Sequence, residues 1–324
     1  LRAQVASCNK GATELAKMVE HFGREVVVAY MKHVQDNAEE SVRRVIHKLT
    51  DGEFGVDLDD GSHIHVNVSI DRAARTAKVD FTGTSAQRPS NFNAPRSVSR
   101  AVVLYVFRTL VDDDIPMNAG CLKPIDIVIP DGSMLSPVYP AAVVAGNVEV
   151  SQAATNCLYG ALGVLAGAYG TMTNFTFGND VYQYYETISG GSGAGPTFDG
   201  TSVVQCHMTN SRLTDPEILE FRYPVRVDSH TINAGTGGKG KHHGGDGADR
   251  RIRFLEPMTA AILANNRVNR PHGLEGGEPG VAAKNWVERN DGSREDYGHI
   301  CEVAMKVDDV FVIQTPGGGG FGKA

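Results

Sequence analysis

Glycine is concentrated in the stretch 184–245, where it is mixed irregularly with tyrosines, carboxylates and histidines. Flexible linkers are Gly/Ser repeats that lack such side chains. Glycine at this density is needed where the backbone approaches a ligand closely or adopts positive φ angles. We therefore predict that this stretch forms a wall of an active site or of an interface.

The composition is that of a globular protein. Hydrophobic residues make up 41% of the 324 residues and charged residues 21%, which is enough apolar material for a substantial core. The net charge is -7, whereas nucleic-acid-binding domains are usually strongly basic, so we expect no nucleic-acid partner. No run of about 18 apolar residues occurs, so we expect no membrane span and no membrane partner.

The five cysteines are scattered and form no CxxC pair, and no signal peptide precedes them. This pattern favours free thiols in a reducing cytoplasm. The chain begins without methionine, apparently inside a helix. We therefore expect it to be the C-terminal part of a longer protein.

Hydrophobic periodicity predicts an α+β protein rather than a doubly wound sheet, because no strand–helix–strand repeat runs along the chain. Residues 1–50 are predicted to form a helical hairpin, and 51–324 a mixed, β-rich domain with Gly-rich loops. The acidic segment 51–60 is predicted to be a loop. Further elements are predicted as strands at 63–70, 76–81 and 125–129, a helix at 97–110, a buried helix at 152–169, and short strands from 175 onward.

One glycine-rich segment comes close to a phosphate-binding loop. Gly235, Gly240 and Lys241 have the required spacing, but His242 replaces the Ser or Thr that would hold magnesium. No strand precedes the segment and no helix follows it, so we predict a tight loop. His242 could ligate a metal together with His243 and Asp246, but adjacent histidines usually point in different directions, so no metal ligand is assigned.

Glu186 and His207 are the candidate catalytic residues. His207 follows an apolar pair, as expected of a strand-end residue that faces a cleft, and either side chain could serve as a general acid or base. Two other carboxylates, Asp215 and Glu217, have a structural explanation. They belong to a helix start in which Thr214 is predicted to be the N-cap.

Several amides and one arginine are candidate ligands for a small amide substrate. Asn side chains can bind an amide or imide through paired donors and acceptors, and Arg grips a carboxylate with two hydrogen bonds. Ordinary helix capping and turn formation would explain the same residues. The candidates for substrate binding are Asn91, Asn93, Arg96, Asn118 and Asn210.

Ten motifs, in order along nearly the whole chain, resemble the hydantoinase B/oxoprolinase family. They are NFNAPR at 91–96, DIPMNAGC at 114–121, GNV at 146–148, YYET at 184–187, GGSGAGP at 190–196, HMTN at 207–210, TDPEILE at 214–220, RYP at 222–224, GGEPG at 276–280 and TPGGGGFG at 315–322. The opening hairpin and the motifs are most similar to the C-terminal part of the ATP-dependent 5-oxoprolinases.

The resemblance implies a division of labour between two proteins or domains. A hydantoinase A-type partner would bind ATP and Mg and phosphorylate the substrate oxygen, and this chain would complete the hydrolytic opening of 5-oxo-L-proline to L-glutamate. Alternatively, the chain is a component of an N-methylhydantoinase or of an acetone or acetophenone carboxylase. A third possibility is a non-catalytic scaffold that buries its Gly-rich face against the ATP-binding partner.

The chain departs from the family pattern in one respect. The resemblance implies a His/Asp-rich segment with metal ligands in the N-terminal half of the subunit, and no counterpart occurs here. Any divalent metal is therefore expected on that segment. We expect the N-terminal half to be a further partner, the assembly to be oligomeric, and this chain to be inactive alone.

Overall fold

The computed structural model describes all 324 residues, which divide into two compact units. The smaller unit consists of Leu1–Leu49, Ile70–Ala77 and Phe107–Asp126. The larger unit consists of Thr50–Ser69, Lys78–Val106 and Ile127–Ala324. No helix in either unit is long and apolar enough to cross a membrane.

The smaller unit begins with the predicted helical hairpin. Helix α1 spans Arg2–Phe22 and helix α2 spans Arg24–Ile46. Gly23 separates them with φ of 81°, and its N–H donates to the Val19 carbonyl, which ends α1. The hairpin is confirmed, although α2 ends at Ile46 and a turn follows, where the sequence predicted helix up to residue 49.

One side of the hairpin is apolar and open. α1 has no buried residue, and large side chains such as Phe22, Tyr30 and Met31 are exposed. They line a groove of about 680 Å³, formed by Leu15, Met18, Phe22, Val26, Val27, Tyr30, Met31, Val34, Gln35 and Asn118. Exposed apolar surface of this extent usually marks an interaction site.

The first sheet has the strand order β1-β2-β3-β4. These strands are Gly52–Asp57, His63–Asp71, Thr76–Asp80 and Ile125–Val128. The prediction of a loop at 51–60 was wrong, because β1 pairs with β2 antiparallel from Gly52↔Val68 to Asp57↔His63. Phe54 and Val56 alternate with exposed residues, and this alternation outweighs the acidic, glycine-containing composition.

Two antiparallel sheets in the larger unit share one hydrophobic core. Their strand orders are β11-β10-β13-β8-β7 and β12-β9-β5-β6. Phe175 and Phe311, from different sheets, have ring centroids 4.8 Å apart. The strands β5 to β13 span Asn174–Gly178, Gln183–Thr187, Val225–Asn233, Gly247–Phe254, Met258–Leu263, Lys284–Glu288, Arg294–Tyr297, Ile300–Met305 and Val310–Gln314.

Three helices accompany these sheets. Helix α3 spans Arg96–Thr109, α4 spans Ser151–Leu162 after a π-helix at Gly146–Val150, and α5 spans Pro216–Arg222. Every residue of α4 is buried, as predicted. The helix is shorter than the predicted 152–169, because Gly163 follows it as the C-cap in the left-handed conformation, with φ of 69°. The N-cap of α5 is Asp215, whose carboxylate accepts from Glu217 N–H, and not Thr214 as predicted.

Four glycine-rich segments, 190–195, 235–247, 273–280 and 317–322, pack backbone against backbone, and we call them the glycine bundle. The N–H groups of residues 317–320 donate to carbonyls of three different segments, those of Glu278 and Val281, of Gly245 and of Gly167. A Cβ atom on Gly318 would lie 1.9 Å from the Ser192 carbonyl oxygen. Close approach was predicted correctly, but the neighbour is backbone of the same chain and not a ligand.

Candidate functional site

The π-helix at Gly146–Val150 and α4 carry polar side chains into the interior of the larger unit. π-helical turns are rare and frequently occur at functional sites. The loop 91–95 lies against the start of this segment, since a Cβ on Gly146 would meet the Asn93 carbonyl oxygen at 2.5 Å. The Ala145 N–H donates to the Asn91 carbonyl over 3.1 Å. Two of the motifs noted in the sequence therefore meet here.

The predicted substrate-binding residues of the 91–96 loop lie together but are differently engaged. The Asn93 side chain is fully buried, accepts from Arg88 N–H at 2.6 Å and donates to the carbonyls of Ser90 and Ala142. Asn91 is exposed. Arg96 is also exposed and forms a salt bridge of 2.9 Å with Asp131.

The other two predicted substrate-binding residues lie elsewhere in the chain. Asn118, in the smaller unit, caps a short 3₁₀ helix, because its side-chain oxygen accepts from Gly120 N–H at 2.8 Å. Asn210 is an exposed residue of the larger unit. The structure thus brings only Asn91, Asn93 and Arg96 close together, the first two in one loop and Arg96 at the start of α3.

Glu186 is held in a buried ion pair. Its two carboxylate oxygens accept from Nε and Nη2 of Arg250 at 2.7 and 2.9 Å, and the Tyr184 hydroxyl donates to it at 3.0 Å. The side chains of Arg250 and Glu186 are only 1% and 2% exposed. The pair links β6 to β8, and any proton transfer by Glu186 would have to disrupt it.

His207 lies in a loop and has φ of 59°, a backbone conformation that residues other than glycine rarely adopt. Its ring lies 5.2 Å from the Tyr159 ring, and its Nδ1 is 3.5 Å from the Tyr105 hydroxyl. Nε2 is buried and has no hydrogen-bond partner. Burial lowers the pKa of His207 to about 4, so the imidazole is neutral at physiological pH and can accept a proton.

Glu149, which is fully buried in the π-helix, was not among the predicted site residues. One carboxyl oxygen accepts from the Thr171 hydroxyl at 2.9 Å and from the Asn174 amide at 2.7 Å, while Oε2 has no partner. Burial raises the pKa of Glu149 to about 8, against smaller opposing effects of its hydrogen bonds and of Arg267. The feature of the sequence that could have identified Glu149 is the position of a carboxylate between two apolar residues, Val148 and Val150.

A chain of hydrogen bonds connects Glu149 to the surface. The Tyr185 hydroxyl donates to Oδ1 of Asn174 at 2.7 Å, and Tyr185 is 52% exposed. On the other side, burial lowers the pKa of Arg267 to about 10, and its Nε has no partner. Perturbed, incompletely paired groups of this kind are typical of functional sites.

Comparison with known proteins decides the family. Residues 1–324, the whole chain, match the sequence model of hydantoinase B/oxoprolinase. The chain belongs to the hydantoinase B/oxoprolinase family. The resemblance inferred from the motifs is thereby confirmed.

The hydantoinase B/oxoprolinase relatives are longer than this chain. It is 45% identical to 5-oxoprolinase 1 of Arabidopsis thaliana and 42% identical to 5-oxoprolinase of Dictyostelium discoideum, each over 100% of the chain. It spans only 27% and 26% of those two proteins. The matched region is therefore one part of a longer polypeptide in these relatives.

Solved structures of the same fold support the architecture. An ATP-dependent caprolactamase from Pseudomonas jessenii superimposes with a TM-score of 0.86 at 22% identity, covering 100% of this chain and 60% of that one. An acetone carboxylase without nucleotide gives 0.81 at 18% identity, covering 95% of this chain and 50% of that one. At these identities the likeness concerns the fold alone.

The glycine-rich loop of this family member does not fit a nucleotide phosphate. A phosphate-binding loop needs free backbone N–H groups. Here the N–H of Gly238 donates to Gly318, and those of Lys241 and His242 donate to Gly322 and Phe321. No group of three or more His, Cys, Asp or Glu side chains is arranged to hold a metal ion.

Proposed function

We propose that this chain is the C-terminal, hydantoinase B-type portion of a 5-oxoprolinase. The complete enzyme would open 5-oxo-L-proline to L-glutamate by ATP-dependent hydrolysis, with a hydantoinase A-type partner. The observation that supports this proposal is the similarity, over the whole chain, to the 5-oxoprolinases of Arabidopsis and Dictyostelium.

We propose that His207 accepts the proton of the attacking water. A lactam is stabilised by resonance, and phosphorylation of its oxygen makes the carbonyl carbon electrophilic enough for water to attack. The attack forms a C–O bond in place of the C–N π bond and releases a proton, which a neutral imidazole can take. Cleavage of the C–N single bond then opens the ring to an acyl phosphate, and a second water hydrolyses this to the carboxylate and phosphate. The unpartnered Nε2 of His207 leaves a ring nitrogen available to a water molecule, which supports this role. The pKa near 4 keeps the imidazole unprotonated at neutral pH, although it also makes it a weaker base than an ordinary histidine.

For Glu186 we propose a positioning role in place of acid–base chemistry. Its carboxylate already accepts hydrogen bonds from Arg250 and Tyr184. Breaking a buried pair leaves an uncompensated charge, which is unfavourable in the interior. Substrate binding stays a prediction for Asn91, Asn93, Arg96, Asn118 and Asn210. The side chains of Asn93 and Asn118 form hydrogen bonds within the protein that would compete with a substrate.

We infer that ATP and Mg bind on the hydantoinase A-type partner, since the N–H groups of Gly238, Lys241 and His242 in the loop 235–247 already donate to backbone carbonyls of this chain. A divalent metal, if the enzyme uses one, would bind the N-terminal part of the subunit. We propose that the N-terminal part of the subunit binds in the apolar groove of the hairpin. The greater length of the proteins of this fold supports the proposal, since this chain spans only 60% of the caprolactamase chain. The five free cysteines favour a cytoplasmic location.

The test is ATP-dependent glutamate formation from 5-oxoproline. The complete enzyme would be assembled from this chain, the hydantoinase A-type partner and the N-terminal part of the subunit, and each would be omitted in turn. We expect glutamate only in the full mixture. Consumption of hydantoin or acetone without glutamate formation would instead identify an N-methylhydantoinase or a ketone carboxylase, and the 5-oxoprolinase proposal would be rejected.

A further inference from the structure

We propose that a small polar pocket beside His272 binds the lactam ring and the carboxylate of the substrate. The inference rests on the proposed function and adds the binding site to it. The pocket lies within the larger unit, has a volume of about 150 Å³, and is lined by Asp57, Asn156, Asn266, Asn269, Arg270 and His272, among others. None of these residues was among the predicted site residues.

The size of the pocket suits one small ring. A cavity of about 150 Å³ is large enough to hold a benzene molecule. A five-membered lactam with one carboxylate is of similar size. A nucleotide is far too large for it, which restricts the ligand to a small molecule.

His272 supplies an unsatisfied polar group. Its Nε2 is buried and has no hydrogen-bond partner, although its ring packs on Phe54 with centroids 4.5 Å apart. Burial lowers the pKa of His272 to about 4, so the ring is neutral and offers one donor and one acceptor nitrogen. Buried polar atoms without partners are rare in native proteins and call for an explanation. A bound lactam, which carries both a donor and an acceptor, provides one.

Asn266 supplies the complementary acceptor. Its amide nitrogen donates to the Tyr169 carbonyl at 2.8 Å, whereas its side-chain oxygen accepts no hydrogen bond from the protein. The residue has φ of 63°, a left-handed conformation that asparagine tolerates. Gly170 leaves room for it, since a Cβ there would meet the Asn266 amide at 2.5 Å. The free oxygen can accept the lactam N–H.

Arg270 supplies the charge for the carboxylate. Its Nε and Nη2 donate to the carbonyls of Gly280 and Pro279, and it forms no salt bridge. The acidic group in the pocket, Asp57, is already bound by Nδ1 of His63 at 2.7 Å. Arg270 is thus a cation of the pocket without a carboxylate partner, in contrast to Arg96, which is paired with Asp131.

The variant His272→Phe tests the pocket without removing the ring that packs on Phe54. In the complete enzyme we expect the KM for 5-oxoproline to rise about tenfold or more, since a ligand hydrogen bond is lost. Thermal unfolding should occur at the same or a higher temperature, because an unsatisfied buried nitrogen is removed. An unchanged KM in a folded variant would overturn the proposal.

A second variant, Arg270→Gln, tests the carboxylate contact. It should weaken the binding of 5-oxoproline, measured calorimetrically without ATP, and leave that of 2-pyrrolidinone, which lacks the carboxylate, unchanged. Equal losses for both ligands, or no loss for either, would contradict the assignment. If the wild-type enzyme binds 5-oxoproline but does not convert it, the proposed function fails while the pocket stands. If it converts 5-oxoproline and neither variant affects binding, the pocket alone fails.

Discussion

Two buried glutamates differ in the groups that face them. Both oxygens of Glu186 are bonded to the Arg250 guanidinium, whereas Glu149 faces hydroxyl and amide donors and leaves one oxygen unpaired. Desolvation disfavours a charged carboxylate unless a cation compensates it. At residue scale, Glu149 is consequently the group whose protonation responds to pH near neutrality.

Replacement of Glu149 by glutamine should change how stability depends on pH. The folded-state pKa of about 8 lies above the ordinary value of 4.5. Between these values the unfolded state has released the proton and the folded state retains it, so wild-type stability falls as pH rises. Relative to wild type, Glu149→Gln should gain at most about 1.4 kcal/mol per pH unit from about pH 5 to about pH 8. Urea unfolding at several pH values measures this, and a pH-independent difference would contradict it.

Replacement of His207 by asparagine should reduce turnover and preserve the fold, because asparagine tolerates a positive φ. We expect kcat of the complete enzyme to fall by about 10²–10⁴, as for the loss of a general base. Since the pKa of His207 is near 4, the acid limb of the wild-type rate profile should lie there and not near 6.5. Full turnover by the variant, or a limb near 6.5 that the variant retains, would refute the role.

At the scale of elements, the glycine bundle replaces side-chain packing by backbone packing. Residues 317–320 donate to three other segments, and a Cβ added at any of these four glycines would overlap backbone atoms. Residues 317–321 are buried, whereas the segments 235–247 and 273–280 include exposed residues such as Lys239, Lys241 and Glu278. The bundle ties together loops from distant parts of the chain, including the loop of His272.

Gly318→Ala should lower the free energy of unfolding by about 3 kcal/mol or more, because the new Cβ would overlap the backbone carbonyl of Ser192, which has no room to move. Gly298→Ala is the matched control. A Cβ there meets no atom within 4 Å, and the change should stay within about 1 kcal/mol. Denaturant titration of both variants compares them, and equal effects would show that the bundle tolerates side chains.

At the scale of the whole molecule, this chain corresponds to one part of much longer relatives. Its relatives are up to about four times its length, given that it spans 27% of the Arabidopsis protein. The hairpin exposes an apolar groove that nothing in the smaller unit covers. Burial of such a surface drives association.

Met31→Asp should weaken binding of the N-terminal part of the subunit, expressed separately and mixed with this chain, because it places a charge in the groove. Val28→Asp is the control, since Val28 is 55% exposed on the same helix but does not line the groove. Co-elution in gel filtration measures the complex. Equal behaviour of the two variants would mean that the groove is not the contact surface.

Local patterns in the sequence determined much of the architecture. The helical hairpin, α3, the presence of α5 and the α+β class follow from periodicity and turn residues, which act between residues close in the chain, although the N-cap of α5 was placed one residue too early. The ordered motifs also identified the family. The strand β1 was missed because its alternation is short and lies within acidic, glycine-containing residues.

Only the tertiary structure decided which polar side chains form a site. Glu186 and Arg250 are 64 residues apart, and the pocket of His272 is completed by residues near Asp57 and Asn156. Burial and pairing set the protonation state and reactivity of such groups, and both depend on neighbours distant in the chain. A sequence names the side chains that can do chemistry, but the solvent and partners around each one are created only when the chain folds.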